Sequence, residues 1–89
     1  MEQLSSLERM SVQGCDKLQN IPGLWQLTKL RSLDVNKCHG IKELPGVECL
    51  TSLELLSVSR CEIAELQGLE HLIYLEWLYV FDCKKLQFW

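Results

Sequence analysis

Five cysteines are the residues best equipped for chemistry in this 89-residue chain: Cys15, Cys38, Cys49, Cys61 and Cys83. A structural zinc site needs ligands in close pairs, typically C-x-x-C, so that a few residues of backbone hold two thiolates on one ion. No such pair is present, and His39 and His71 are not spaced to complete one. The sequence also lacks a Ser-His-Asp arrangement, a glycine-rich phosphate loop and a carboxylate pair set within a site. No catalytic, cofactor-binding or metal-binding residue is therefore expected, and the chain reads as a binding or scaffold protein rather than an enzyme. What the cysteines do have is regularity. Cys15, Cys38, Cys61 and Cys83 follow one another at 23, 23 and 22 residues, and Cys49 stands outside the series.

The same regularity extends to the residues around them. Leu27, Leu30, Leu33, Val35 and Cys38 form one frame, and it recurs as Leu4, Leu7, Met10, Val12 and Cys15. It recurs again from Leu50 to Cys61 and from Leu72 to Cys83. Four copies, at about 4–26, 27–49, 50–71 and 72–89, account for nearly the whole sequence, which is the signature of a repeat array. Within each frame the L-x-V core has period two and predicts a short strand. The leucines before it and the apolar residues after the cysteine recur at threes, as in Leu18, Ile21 and Leu24. Pro22-Gly23 and Pro45-Gly46 add tight turns, with Gln67-Gly68 in their place in the third copy. That copy is one residue shorter after its cysteine, a deletion expected in a surface loop. No copy can bury its apolar residues alone, so stacked neighbours must do it. The expected fold is an α/β-type solenoid: a right-handed coil with a short parallel sheet on its concave side. Its convex side should be irregular or 3₁₀.

Charge and composition narrow the partners. A net charge of −3 argues against nucleic acid, which needs a basic face. No apolar run reaches the roughly 18 residues of a membrane helix. Met1-Glu2-Gln3 opens straight into the first frame, and no N-x-S/T sequon occurs. That pattern predicts no signal peptide and a cytoplasmic, reducing setting with free thiols. Neither end carries a polar cap: Leu4 and Leu7 start at full apolar strength, and Leu86-Gln87-Phe88-Trp89 closes the chain. An excised segment of a longer array is expected, with self-association through bare ends as the alternative.

The pattern L-x-x-L-x-x-L-x-V-x-x-C followed by Leu-Pro-Gly resembles the leucine-rich repeats of plant intracellular immune receptors. Val35-Asn36-Lys37-Cys38 and Leu44-Pro45-Gly46 carry the likeness. The family is that of nucleotide-binding leucine-rich-repeat disease-resistance proteins, particularly those with a Toll/interleukin-receptor-type domain. The resemblance implies a plant-defense recognition module that senses a pathogen effector or restrains the rest of a receptor. The nucleotide-binding and signalling domains of that family have no counterpart here, so no ATP chemistry is implied. At the cysteine position the general leucine-rich pattern carries Asn or Cys. Cys15, Cys38, Cys61 and Cys83 should accordingly point inward as a ladder of buried thiols. Cys49 aligns with Gln26 and His71 and should lie exposed on the convex side.

The residues flanking each inward Leu and Val should face outward on the concave sheet. By copy these are Arg9, Ser11 and Gln13; Ser32, Asp34 and Asn36; Leu55, Ser57 and Ser59; and Trp77, Tyr79 and Phe81. The first three sets are polar apart from Leu55, and the fourth is wholly aromatic. Rigid aromatics on a sheet face are frequent anchors of protein interfaces. The expected protein-binding face is Trp77, Tyr79, Phe81 and Leu55, rimmed by Arg60 and Asp82, with Asp34, Asn36 and Arg9 beyond. Its partner would be another protein or another domain of the same receptor. The alternative is a scaffold whose aromatic strip is covered by a neighbouring domain or a second copy.

Overall fold

The computed structural model describes residues 6–64, 66 and 68–85. The expectations for Leu4, Gln67 and the Leu86–Trp89 end lie outside these residues. Four five-residue strands, β1 (Arg9–Gln13), β2 (Ser32–Asn36), β3 (Leu55–Ser59) and β4 (Trp77–Phe81), form one sheet. They pair in chain order and all in parallel, centred as expected on Ser11, Asp34, Ser57 and Tyr79. Each strand forms where Leu or Met and then Val occupy alternate positions, with polar or aromatic residues between them except at Leu55, so one face of the pleat is apolar. The register places each residue against its equivalent in the next copy: Leu33 against Leu56, Val35 against Val58.

A fixed pair of main-chain bonds enters each of β2, β3 and β4. The N–H groups of Arg31 and Ser32 both donate to Glu8 O, at 2.7 and 3.1 Å. Those of Glu54 and Leu55 donate to Arg31 O at 2.8 and 3.0 Å, and those of Glu76 and Trp77 to Glu54 O at the same distances. Each strand leaves through a residue in the left-handed region: Gly14, Lys37, Arg60 and Asp82, with φ of 64°, 57°, 53° and 58°. For a non-glycine residue that conformation costs on the order of 1–2 kcal/mol. An extra ladder bond offsets it, since Lys37 N–H donates to Ser59 O and Arg60 N–H to Phe81 O, both at 2.9 Å.

The same bend turns the following cysteine inward. Cys38 Sγ–H is shared between Val12 O of the previous strand, at 3.6 Å, and Asn36 O of its own, at 3.5 Å. Cys61 repeats this with Val35 O and Ser59 O, and Cys83 with Val58 O and Phe81 O. The thiol ladder thus supplies weak donors to carbonyls at the strand ends. Its expected burial holds only in the middle of the sheet. Cys38 and Cys61 are buried, Cys83 is half-buried and Cys15 is exposed. Cys15 follows the edge strand β1, which has no earlier strand beside it, and its thiol donates to Gln13 O at the end of β1. Cys49 is exposed, as expected.

The return segments are irregular and carry three-residue 3₁₀ turns at Leu24–Gln26, Val47–Cys49 and Leu69–His71. Each opens on a glycine at positive φ, namely Gly23, Gly46 and Gly68, which explains the invariant second residue of the Pro-Gly and Gln-Gly pairs. Leu24 and Val47 are buried in these turns and belong to the same core as Leu30, Leu33, Leu50, Leu53 and Leu56. Gly40 has a different reason. A Cβ there would stand 2.5 Å from Asp16 O and 2.7 Å from Leu18 O of the preceding return. The equivalent Lys85 follows the shortened third return, where Cys61-Glu62-Ile63 lacks one residue. Its amine reaches Glu62 at 3.2 Å.

Two outcomes follow from this packing. Leu33 is fully buried, so Leu33→Asp places an unpaired carboxylate among apolar neighbours and should cost several kcal/mol. Asp34→Ala, one residue away on the opposite face, should shift stability by no more than about 0.5 kcal/mol. Chemical denaturation of the two variants separates them; equal losses would place the strand out of register. A short native pulse of maleimide, read by mass spectrometry, should label Cys49 and Cys15 and spare Cys38 and Cys61 until unfolding. Burial also pushes the Cys61 thiol above its ordinary pKa of 9.0. Because the folded value is the higher one, the stabilisation is complete below pH 9.0 and is lost as pH rises through the folded value. Rapid native labelling of Cys38 or Cys61 would contradict their inward placement.

Candidate functional site

Alternation along β4 puts Trp77, Tyr79 and Phe81 on the face opposite the core. They are 47 %, 53 % and 63 % exposed, and their i, i+2, i+4 spacing sets them side by side along the strand. The register pairs Leu55 with Trp77, Ser57 with Tyr79 and Ser59 with Phe81. Leu55, half-buried, therefore extends the apolar surface by one strand at the Trp77 end. At the Phe81 end Arg60 and Asp82 are exposed neighbours in the left-handed bends. The sheet thus brings together Trp77, Tyr79, Phe81, Leu55, Arg60 and Asp82 around β4.

The remaining expected residues lie farther along the sheet. Asp34 and Asn36 are on β2, where Asn36 Oδ1 accepts a 2.7 Å hydrogen bond from Ser59 Oγ. Arg9 is on β1, three strands from Trp77 across the sheet order. These residues share the outward face with the aromatic strip and are not part of its immediate surroundings.

Two features escaped the reading of the sequence. One is a charged column at the entry to the strands, formed by Glu8, Arg31, Glu54 and Glu76. Arg31 joins the first three: its Nη2 lies 2.9 Å and its Nε 3.1 Å from Glu54 Oε2, with Nη1 3.8 Å from Glu8. Exposed pairs of this kind contribute about 0–1 kcal/mol, so their main effect is to order the surface. Glu76, exposed, has no ion-pair partner among the described residues. The second feature is Ile73 and Tyr74, 78 % and 62 % exposed, in the turn before β4. They occupy the places of Thr28-Lys29 and Thr51-Ser52, and aligning the copies at that position would have revealed them.

The column separates two shallow grooves. On the sheet side a hollow of about 360 Å³ runs past Arg9, Ser32 and Leu55 to Trp77. On the other side one of about 370 Å³ runs past Lys29 and Ser52 to Tyr74. Glu8, Arg31 and Glu54 line both. The two aromatic residues therefore stand on either side of the column at its acidic end. Such an arrangement is suited to noncovalent contact with another molecule. It holds no nucleophile with a base beside it and, among the described residues, no group of three metal-ligating side chains.

The chain matches no family model, and comparison with curated proteins and with solved structures likewise gives no match. No helix among the described residues is long and apolar enough to cross a membrane.

Proposed function

We propose that this chain is a leucine-rich-repeat recognition segment of a plant intracellular immune receptor, and that it engages another protein through the outward face of its sheet. The partner is a pathogen effector or another domain of the same receptor, held so as to keep it inactive. The observation that carries the reading is the exposed Trp77-Tyr79-Phe81 strip on a sheet face that is otherwise mostly polar. Soluble proteins usually keep a contiguous apolar patch for a contact, and two-χ aromatic side chains make one at low entropic cost. The likeness of the Leu-x-Val-x-x-Cys and Leu-Pro-Gly elements to immune-receptor repeats supports the class. The parallel in-register strands and 3₁₀ returns are compatible with a solenoid built from those repeats. A cytoplasmic location belongs to this proposal and agrees with the free thiols at Cys38 and Cys61.

A second reading has its own support. Exposed apolar surface also covers Ile73, Tyr74 and Leu78, which lie off the outward face, in the turn before β4 and on its core-facing side. A neighbouring domain or a second copy stacked on β4 would cover these as well, making the strip part of a scaffold.

Substitution of Tyr79 distinguishes the two. In the recognition reading, Tyr79→Ala in the full-length receptor should weaken a cognate partner by about 2 kcal/mol, roughly thirtyfold. Thermal stability should change by no more than about 1 kcal/mol, because the side chain points away from the core. Loss of stability with unchanged partner affinity would assign the strip to scaffold and defeat the recognition reading.

A further inference from the structure

We infer that the acidic end of the charged column, between Trp77 and Tyr74, receives a cationic side chain, arginine or lysine, from the protein partner. The inference rests on the outward-face reading given above and specifies the chemistry of its partner. Three observations meet at this point. The first is the order of charge: Glu8, Arg31 and Glu54 alternate in sign across three strands, and Arg31 touches both carboxylates. The fourth member, Glu76, breaks the alternation by placing a second carboxylate beside Glu54, with the entry N–H of Glu76 itself bonded to Glu54 O. Like charges at neighbouring positions of a ladder repel, and a cation placed over Glu54 and Glu76 would restore the sequence of signs.

The second observation is the aromatic flanking. Trp77 closes the groove on one side of the column and Tyr74 closes the groove on the other. Both rings are more than two-fifths exposed. A guanidinium or ammonium group resting on such rings gains from the ring quadrupole as well as from the carboxylates. An anionic or purely apolar ligand would gain from the rings alone and would be repelled, or left unaided, by Glu76.

The third is the absence of competing cations on the strand itself. From Leu72 to Cys83 the sequence contains Glu76 and Asp82 and no lysine or arginine. Arg60, the basic residue in the bend after the adjoining strand β3, lies at the opposite end, one step beyond the Ser59–Phe81 pair. Arg9 and Arg31 offset Glu8 and Glu54 in the hollow beside Trp77, and Lys29 and Arg31 offset the same carboxylates beside Tyr74. Glu76 is therefore the excess charge at this end, whereas around Phe81 the charges of Arg60 and Asp82 offset each other. A partner segment running along β4 would place its cation at Glu76 and apolar side chains over Tyr79 and Phe81.

The test uses two blocked peptides that differ in charge alone: acetyl-Gly-Leu-Arg-Leu-Gly-amide and the same peptide with citrulline, the neutral isostere, in place of arginine. Each is titrated into the 89-residue chain, following the Trp77 indole and Tyr74 ring resonances by NMR at low salt. The arginine peptide should bind about tenfold more tightly than the citrulline peptide, and added salt should narrow the gap. Glu76→Gln, an exposed change that should leave folding intact, should remove most of the discrimination. Equal binding of both peptides with Trp77 and Tyr79 perturbed would overturn the cation site and leave the outward-face reading standing. Perturbation confined to residues away from β4 would overturn both. Discrimination that survives in Glu76→Gln would also overturn the assignment, since the selecting charge would then lie elsewhere.

Discussion

In-register parallel stacking is the constraint on which the rest of this structure depends. Each side chain has its own equivalent, one copy earlier or later, as its nearest neighbour across the sheet. Apolar positions profit from that rule: Leu33 against Leu56 and Val35 against Val58 make continuous columns that are wholly buried. Other positions have to solve it. The entry column does so by alternating Glu8, Arg31 and Glu54. The thiol column does so with a side chain that is small, apolar in bulk and able to donate to the strand before it. Where two full-length returns meet, Gly40 leaves room for the carbonyls of Asp16 and Leu18.

The same rule explains what changes at the edges. Burial in a stack is supplied from both sides, and β1 and β4 have a paired strand on one side only. Cys15 is exposed although its sequence context matches that of Cys38, and Leu78 is exposed although its frame matches that of Leu33. Chemical type fixes which way these side chains point. Position in the stack fixes how much water they meet.

Much of this was legible in the residues themselves. The strand centres, the parallel order, the glycine-led turns and the outward aromatic strip all follow from a period of two nested in a period of 22–23 residues. The exposure of Cys15 did not follow, because a repeat pattern read as an average assigns every copy the environment of a central one. The charged column was missed for a related reason. Glu8, Arg31, Glu54 and Glu76 differ in sign from copy to copy, so they look like ordinary surface variation until the register sets them in line. Ile73 and Tyr74 were hidden because they sit in a turn, outside the strand positions that the alternation rule governs.

A core of repeated columns carries one outward strip whose aromatic rings are open to water, the state that the proposed recognition requires. Photo-chemically induced nuclear polarisation, which detects tyrosine and tryptophan rings open to a dissolved dye, addresses that claim directly. At a concentration where the chain is monomeric, Trp77 and Tyr79 should polarise strongly, in keeping with their exposure of 47 % and 53 %. Silent Trp77 and Tyr79 in the monomer would mean that the strip is already covered within the chain. In that case the outward placement of these side chains would be wrong, and the proposed recognition face with it.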